Sequence, residues 1–297
     1  MIKSRILKRV RVKPGSKVKL QKYPTNRVGG SYGKKLEKDH LKKQALQILQ
    51  KSRDELAAAQ KLLYANGSYS VLLIFQAIDA GGKDGTICHV MSGVNPQGCQ
   101  VFNFKKPSEE ELKHNFLWRC SKSLPERGRI GIFNRSYYED VLVLKVHPER
   151  VDARRLERPG RKFWADRYED INNFEKHLSR NGTLILKFFL HLSKKEQKKR
   201  FLERLTDPSK YWKFSAADIE ERAYWKQYEE AFEEALTATS TKHAPWHVIP
   251  ADEKYLTHAL VADIVVKSIQ DLGLKYPTVS SREMKALTQA RRELMKE

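Results

Sequence analysis

The sequence predicts an α/β fold: a three-layer arrangement in which a parallel β-sheet is covered by helices on both faces. Three observations predict it. Short apolar runs of strand length alternate with longer segments of helical period, as in a parallel sheet with crossover helices. The first apolar run, VLLIFQAI at 71–78, ends in the glycine-rich turn DAGGKDGT at 79–86 and leads into a helix. No apolar run reaches membrane-spanning length; the longest, 71–75 and 183–192, are short, and the second carries Lys187.

Along the chain, residues 1–35 hold Pro14, Pro24, Gly29, Gly30 and Gly33 with little apolar periodicity, and read as a basic arm, extended on the body or partly disordered. From 36 to 64, Leu41, Ala45, Ile48, Leu49, Leu56 and Leu63 recur at helical spacing until Asn66-Gly67 stops the helix. Residues 71–78 form the first buried strand, 86–92 a helix and 100–104 a short strand. Ser108 caps the next helix, and Glu109, Glu110 and Glu111 suit the positive end of its dipole. Leu112, Phe116, Cys120 and Leu124 make its inner face.

Residues 129–133 are the next strand, followed by the turn Asn134-Arg135-Ser136 and a helix over 137–146. A charged loop at 157–160 precedes a helix over 161–178, and Asn181-Gly182 turns into the strand 183–192. Ser193 caps a basic helix, 194–205, that Asp207-Pro208 ends. Residues 211–215 are a loop rich in aromatics and lysine. A long helix over 218–236 aligns Ala223, Tyr224, Tyr228, Ala231, Phe232 and Ala235 on one side; 246–249 is the last strand and 255–272 the last helix. The organisation is thus an arm over 1–35, an α/β body over 36–275 with a lid over roughly 194–225, and a tail over 276–297.

Cys88, Cys99 and Cys120 form no C-x-x-C pair, and so sparse and odd a count fits a reducing compartment. The N-terminus lacks the apolar core of a secretory signal, so a cytoplasmic protein is expected. The net charge is +21, and residues 1–43 hold 15 Lys or Arg against Glu37 and Asp39, leaving only +8 for the rest. Such an excess points to a polyanionic partner, whether nucleic acid, an anionic membrane surface or another polyphosphate; a solvated basic tail is the plain alternative.

The turn after the first strand departs from the phosphate-loop pattern G-x-x-x-x-G-K-[ST]. Gly82-Lys83 fits, but Ala77 stands in the place of the first glycine, Asp84 in that of the hydroxyl residue, and Asp79 is an added carboxylate. Backbone N–H groups of Ala80, Gly81, Gly82, Lys83, Asp84, Gly85 and Thr86 are the candidates to cradle phosphate. Lys83 would neutralise a transferring phosphoryl group. At the next strand end stands Asn134, a neutral ligand at best, followed by Arg135, which can bind phosphate through two parallel hydrogen bonds. A polar helix cap is the plain reading of that turn.

Magnesium takes hard oxygen ligands, often one or two carboxylates with water and phosphate. Asp79 is the natural candidate; Glu139 and Asp140 lie one turn beyond Asn134. A cationic run follows in the lid: Lys194, Lys195, Lys198, Lys199, Arg200 and Arg204, then Lys210 and Lys213. Arg200 and Arg204, four apart, share a helix face. Arg154, Arg155, Arg158 and Arg161 form a further basic cluster. The nine histidines show no metal-ligand spacing, and there is no G-x-S-x-G elbow.

Four blocks in order, FQAIDAGGKDGTI, GIFNRSYYEDVLVLKVHPE, KFFLHLSKKEQKKRFLERLTDPSKYWKFS and APWHVIPADEKY, resemble the family-2 polyphosphate kinases over most of 36–275. The resemblance implies a P-loop kinase-like sheet with a helical lid and phosphoryl transfer between inorganic polyphosphate and nucleotides. The family's loop aspartate and lysine fall on Asp79 and Lys83, and its strand-end Asp or Asn and following arginine on Asn134 and Arg135. Its lid cations fall within Arg200, Arg204, Lys210 and Lys213. SYYEDVLV, with Glu139, looks like the class (class III) accepting both nucleoside mono- and diphosphates.

The expected activity is therefore magnesium-dependent transfer, with Mn²⁺ as an alternative ion, from polyphosphate to AMP or ADP, with GMP and GDP as further acceptors. Asp79, Lys83, Asn134, Arg135 and Arg204 are the catalytic candidates, Asp79 the metal ligand, and Asp79, Arg135 and Glu139 the acceptor-nucleotide contacts. A homo-oligomer, dimer or tetramer, is expected, with no nucleic-acid or membrane partner. The rivals are an ATP-dependent nucleoside-phosphate kinase of the same fold and a basic nucleic-acid-binding protein; the absent Ser or Thr after Lys83 weighs against the first.

Overall fold

A computed structural model describes residues 2–27, 38–151 and 159–297. Gly29, Gly30 and Gly33, the start of the helix placed at 36, Arg154, Arg155 and Arg158, and the beginning of the 157–160 loop lie outside the described residues.

The chain runs α1 (Ser4–Val10), α2 (Lys38–Asn66), β1 (Ser70–Gln76), α3 (Lys83–Met91), β2 (Cys99–Asn103), α4 (Glu109–Leu112), α5 (Trp118–Ser121), β3 (Ile130–Asn134) and α6 (Glu139–Val146). It continues with α7 (Arg161–Arg180), β4 (Thr183–His191), α8 (Lys194–Thr206), α9 (Ala216–Glu221), α10 (Trp225–Thr239), β5 (Trp246–Pro250), α11 (Lys254–Gln270) and α12 (Ser281–Leu294). The five strands form one parallel sheet in the order β2-β3-β1-β4-β5.

Every residue of β1 is buried, as a central parallel strand requires. Its side chains alternate between two cores. Val71, Leu73 and Phe75 join Leu49, Leu56 and Leu63 of α2 and the apolar face of α11. Leu72 and Ile74 join Phe133, Val141 of α6, Ile171 of α7 and Phe232 of α10. Phe75 pairs in register with Asn134, and Gln76 with Phe189, so the loops leaving β1, β3 and β4 emerge side by side at the carboxyl edge.

Lys187 interrupts the apolar run of β4 yet is fully buried. Its Nζ donates to Glu175 Oε2 (2.6 Å), Tyr138 Oη (2.8 Å) and Thr239 O (2.7 Å). Tyr137 and Tyr138 both donate to Glu175 Oε1 at 2.9 Å. Burial pulls the Lys187 ammonium below its ordinary value, and Glu175 opposes this.

Three expectations are corrected. The arm has apolar periodicity after all: Ile2, Ile6 and Val10 recur every fourth residue and are buried, as are Val12, Val18 and Leu20. Val12 N–H donates to Trp246 O at 2.9 Å, and Arg11 bridges antiparallel to His247, so the arm covers the free edge of β5. The helix begun at Ser108 is two short ones. Ser108 and Glu111 make a reciprocal capping box for α4, but the Asn115 side chain accepts the Leu117 N–H (3.0 Å) and breaks the run before α5. The long helix over 218–236 is divided by a tight turn at Arg222–Tyr224, which separates α9 from α10. The tail forms α12, with a Ser280–Glu283 capping box and no buried residue.

Candidate active site

The loop between β1 and α3 is bent by three features. Ala80 adopts φ +57° and Gly82 φ +92°, both left-handed. A side chain on Gly81 would bring its Cβ within 2.4 Å of Ala77 Cβ, so only glycine fits there. Gly82 is the N-cap of α3, and the N–H groups of a helix's first turn have no acceptor within the helix. Lys83 is buried at 9% exposure and donates to Ala77 O at 3.1 Å. Burial first, then the Arg135 charge, lower its pKa. Thr86 Oγ1 is turned to Gly82 O at 2.9 Å, an ordinary helical back-bond.

The β3 turn stands against this loop. Asn134 Nδ2 donates to Asp84 Oδ1 at 2.6 Å, a bond that links the two turns; the N-cap of α3 is Gly82. Arg135 takes φ +65°, a strained value for a side-chain-bearing residue, and its N–H donates to Phe75 O at 3.0 Å. Its guanidinium donates to Asp79 Oδ1 (2.9 Å) and to Glu139 Oε2 (3.4 Å). With its amide oriented to suit its neighbours, Gln76 donates to Glu139 Oε1 at 2.8 Å. Burial raises the Glu139 carboxyl above its ordinary value against the pull of Arg135. Glu139 in turn holds Arg135 charged. Asp140 is buried at 7% exposure and does not line the cleft described below.

The basic helix α8 carries two kinds of cation. Lys194, Lys195, Lys198 and Lys199 are exposed. Arg200 is 6% exposed and donates to Glu196 Oε1 (3.1 Å), Ala80 O (2.9 Å) and Ala251 O (2.5 Å), bracing the glycine loop against the end of β5. Arg204 is held by Asp218 Oδ2 (3.0 Å) and Lys213 O (3.2 Å). Lys210 pairs with Asp207 at 2.9 Å, and Lys213 Nζ sits over the Trp212 ring. None of Arg204, Lys210 and Lys213 lines the cleft in this arrangement.

That cleft, about 210 Å³, opens beside Asp79, Arg135 and Glu139. Leu142, Val143 and Phe232 give it an apolar wall, and Gln197, Asp218 and Glu221 bring in the lid. Gln197 Nε2 donates to Asp79 O at 2.9 Å, and Gln197 Oε1 accepts from Arg222 Nη1 at 2.8 Å. Glu221 accepts from Arg150 Nη2 (3.1 Å) and Tyr228 Oη (2.8 Å) and contacts His147 Nε2 (2.8 Å). Burial, then the Asp79 charge, raise the Asp218 carboxyl. Sequence reasoning missed Arg150, Gln197, Asp218, Glu221 and Tyr228: they come from separate segments, and no local spacing marks them.

A glycine loop with a buried lysine at the end of the central strand, an arginine turn beside it and a basic helix across both define a P-loop kinase-like protein. The family model described as "Polyphosphate kinase 2 (PPK2)" matches residues 36–276. An "ADP-polyphosphate phosphotransferase" of Rhodopseudomonas palustris is 50% identical over 292 residues, covering 97% of this chain and 98% of the relative. An "AMP/ADP-polyphosphate phosphotransferase" of Meiothermus ruber is 42% identical, covering 91% and 96%. The crystal structure of polyphosphate kinase 2 from Arthrobacter aurescens TC1 superposes with a TM-score of 0.83 at 38% identity, covering 95% of each chain. The chain belongs to the polyphosphate kinase 2 family.

Proposed function

We propose that the protein transfers the terminal phosphoryl group of inorganic polyphosphate to the terminal phosphate of AMP and of ADP, with GMP and GDP as further acceptors. The observation that carries this reading is the placement of Arg135. It bridges Asp79 and Glu139 between the Lys83 loop and the cleft, where donor and acceptor phosphates would meet. The Rhodopseudomonas palustris relative is named for ADP and the Meiothermus ruber relative for AMP and ADP; Glu139, which lines the cleft, is the residue behind the dual-acceptor reading.

An acceptor phosphate oxygen would attack the terminal phosphorus in line. The bridging P–O bond breaks, and the polyphosphate, one unit shorter, leaves with the electron pair. No covalent enzyme intermediate is needed, because positioning and charge neutralisation supply the catalysis. Lys83 and Arg135 neutralise the transferring group, Arg204 approaches from the lid, and Asp79 orients the acceptor.

Among the described residues no group of three or more His, Cys, Asp or Glu gathers to hold a metal, so these residues offer no all-protein cage. One half-buried carboxylate, Asp79, at the cleft fits magnesium, which usually keeps water and substrate oxygens as its other ligands. Magnesium, or manganese in its place, would supply further neutralisation of phosphate charge. The exposed lysines of α8 would attract the polyanion.

A dimer or tetramer belongs to the same proposal, supported by the exposed Met284, Leu287 and Leu294 of α12, as does a place in the cytoplasm. No helix among the described residues is long and apolar enough to cross a membrane. The test is purified protein, magnesium and polyphosphate with AMP, ADP, GMP or GDP, products separated by chromatography. ATP formed from AMP through ADP supports the dual-acceptor reading; product from ADP alone removes it.

A further inference from the structure

We infer that Asp252 is a positioning residue for phosphoryl transfer, and that the N-terminal arm steadies the phosphate loop through it. The inference rests on the transfer reading above. Asp252 follows β5 at the carboxyl edge of the sheet and joins three segments distant in sequence. Its Oδ1 accepts the Ser193 N–H at 2.8 Å, and Ser193 is the N-cap of α8. Its Oδ2 accepts the Thr25 hydroxyl at 2.7 Å, and its own N–H donates to Thr25 O at 2.9 Å. Two acceptor oxygens thus face two donors from different elements, an arrangement a carboxylate supplies on one short side chain.

The adjacent Ala251 carries the connection inward. Its N–H donates to His191 O at 3.0 Å, and its carbonyl accepts Arg200 Nη2 at 2.5 Å. Arg200 Nη1 then donates to Ala80 O at 2.9 Å, at the left-handed residue of the phosphate loop. The base of the lid helix, the residue that braces the loop and the end of the arm are therefore fixed to one turn. The arm is firmly anchored before it reaches Thr25. Val18 N–H donates to Thr237 Oγ1 (2.9 Å) and Leu20 N–H to Glu233 Oε1 (2.8 Å), with Val12, Val18 and Leu20 buried. Its far end is a strap across the root of the lid. Losing the Thr25 hydroxyl leaves that anchoring intact and loosens only the strap's hold on Asp252.

The test is Thr25→Val, which removes the hydroxyl and keeps the side-chain shape, with Thr25→Ser as the rescue and Asp252→Ala as the stronger lesion. A loop displaced by a fraction of an ångström misaligns the transferring group after binding. Thr25→Val is therefore expected to lower kcat about tenfold with the nucleotide KM within about twofold of wild type. Its Tm should be unchanged, and Thr25→Ser should restore kcat. Wild-type kcat in Thr25→Val overturns the inference, as does a fall of kcat and Tm together that serine does not rescue. A second measurement needs no activity. Amide hydrogen exchange over 194–200 should quicken in Thr25→Val, and unchanged exchange overturns the inference. If wild-type protein transfers nothing from polyphosphate, the transfer reading fails and the exchange result alone decides whether the strap exists.

Discussion

Arg135 lies 2.9 Å from the Asp79 carboxylate while its backbone is held at φ +65°. A strained arginine tied to a loop aspartate is costly to maintain, and such strain collects at working sites. The pair joins two turns that are 56 residues apart and sets the glycine loop against the cleft.

Asp79→Asn and Lys83→Ala should each remove transfer, by about 10²–10³-fold or more for loss of one charge-stabilising group. Both should retain the circular dichroism and thermal transition of the parent. Near-normal turnover in either variant sinks the assigned roles.

The alkaline limb of the rate profile should reflect Lys83. Burial and Arg135 lower its pKa below the ordinary lysine value of 10.5, so the active ammonium is lost as pH rises through that lowered value. Lys83→Arg keeps its charge at all accessible pH and should flatten the limb in whatever activity remains. An unchanged limb assigns the titration elsewhere.

Glu139 is a buried carboxylate at the cleft whose ionised form costs stability. Its carboxyl is raised above 4.5 by burial, so the folded state holds its proton more tightly than the unfolded chain. Its stabilising contribution is present in full below the unfolded value and is lost as pH rises through the folded one. Glu139→Gln should therefore be at least as stable as the parent at pH 7 while altering the ratio of AMP to ADP used. Urea midpoints at pH 5 and pH 7 check the first part; a variant clearly weaker at pH 7 contradicts it.

Much of the fold was legible because it is local. The buried run of β1, the glycine turn and the Ser193 cap each announce themselves within a few residues. The positions of Asp79, Lys83 and Arg135 were legible for the same reason: each sits in a turn that leaves a strand at the carboxyl edge. What stayed hidden depends on distant partners. Gln197 reaches the Asp79 carbonyl across 118 residues, and Glu221 meets His147 across 74. The arm's Ile2-Ile6-Val10 spacing was available, but its basic residues and prolines outweighed it. Arg200 and Arg204 share a helix face, yet neighbouring carbonyls bury one as a brace and leave the other beside Asp218.

The buried Lys187–Glu175 pair should dominate the mutational stability of the body. Glu175→Ala strands a buried ammonium and should cost about 3–5 kcal/mol. Glu175→Gln combined with Lys187→Met should recover most of that loss, as read from urea denaturation. Equal loss in the single and double variants would mean that packing, not charge, is responsible.

The central claim is that phosphate moves directly from polyphosphate to a nucleotide. Its most direct measurement uses polyphosphate carrying labelled phosphorus, AMP and magnesium, with no ATP added. The account predicts label in the newly formed terminal phosphate of ADP and then ATP, with the polymer shortened unit by unit. Label released only as inorganic phosphate, or a nucleotide product formed only when ATP is supplied, would contradict it.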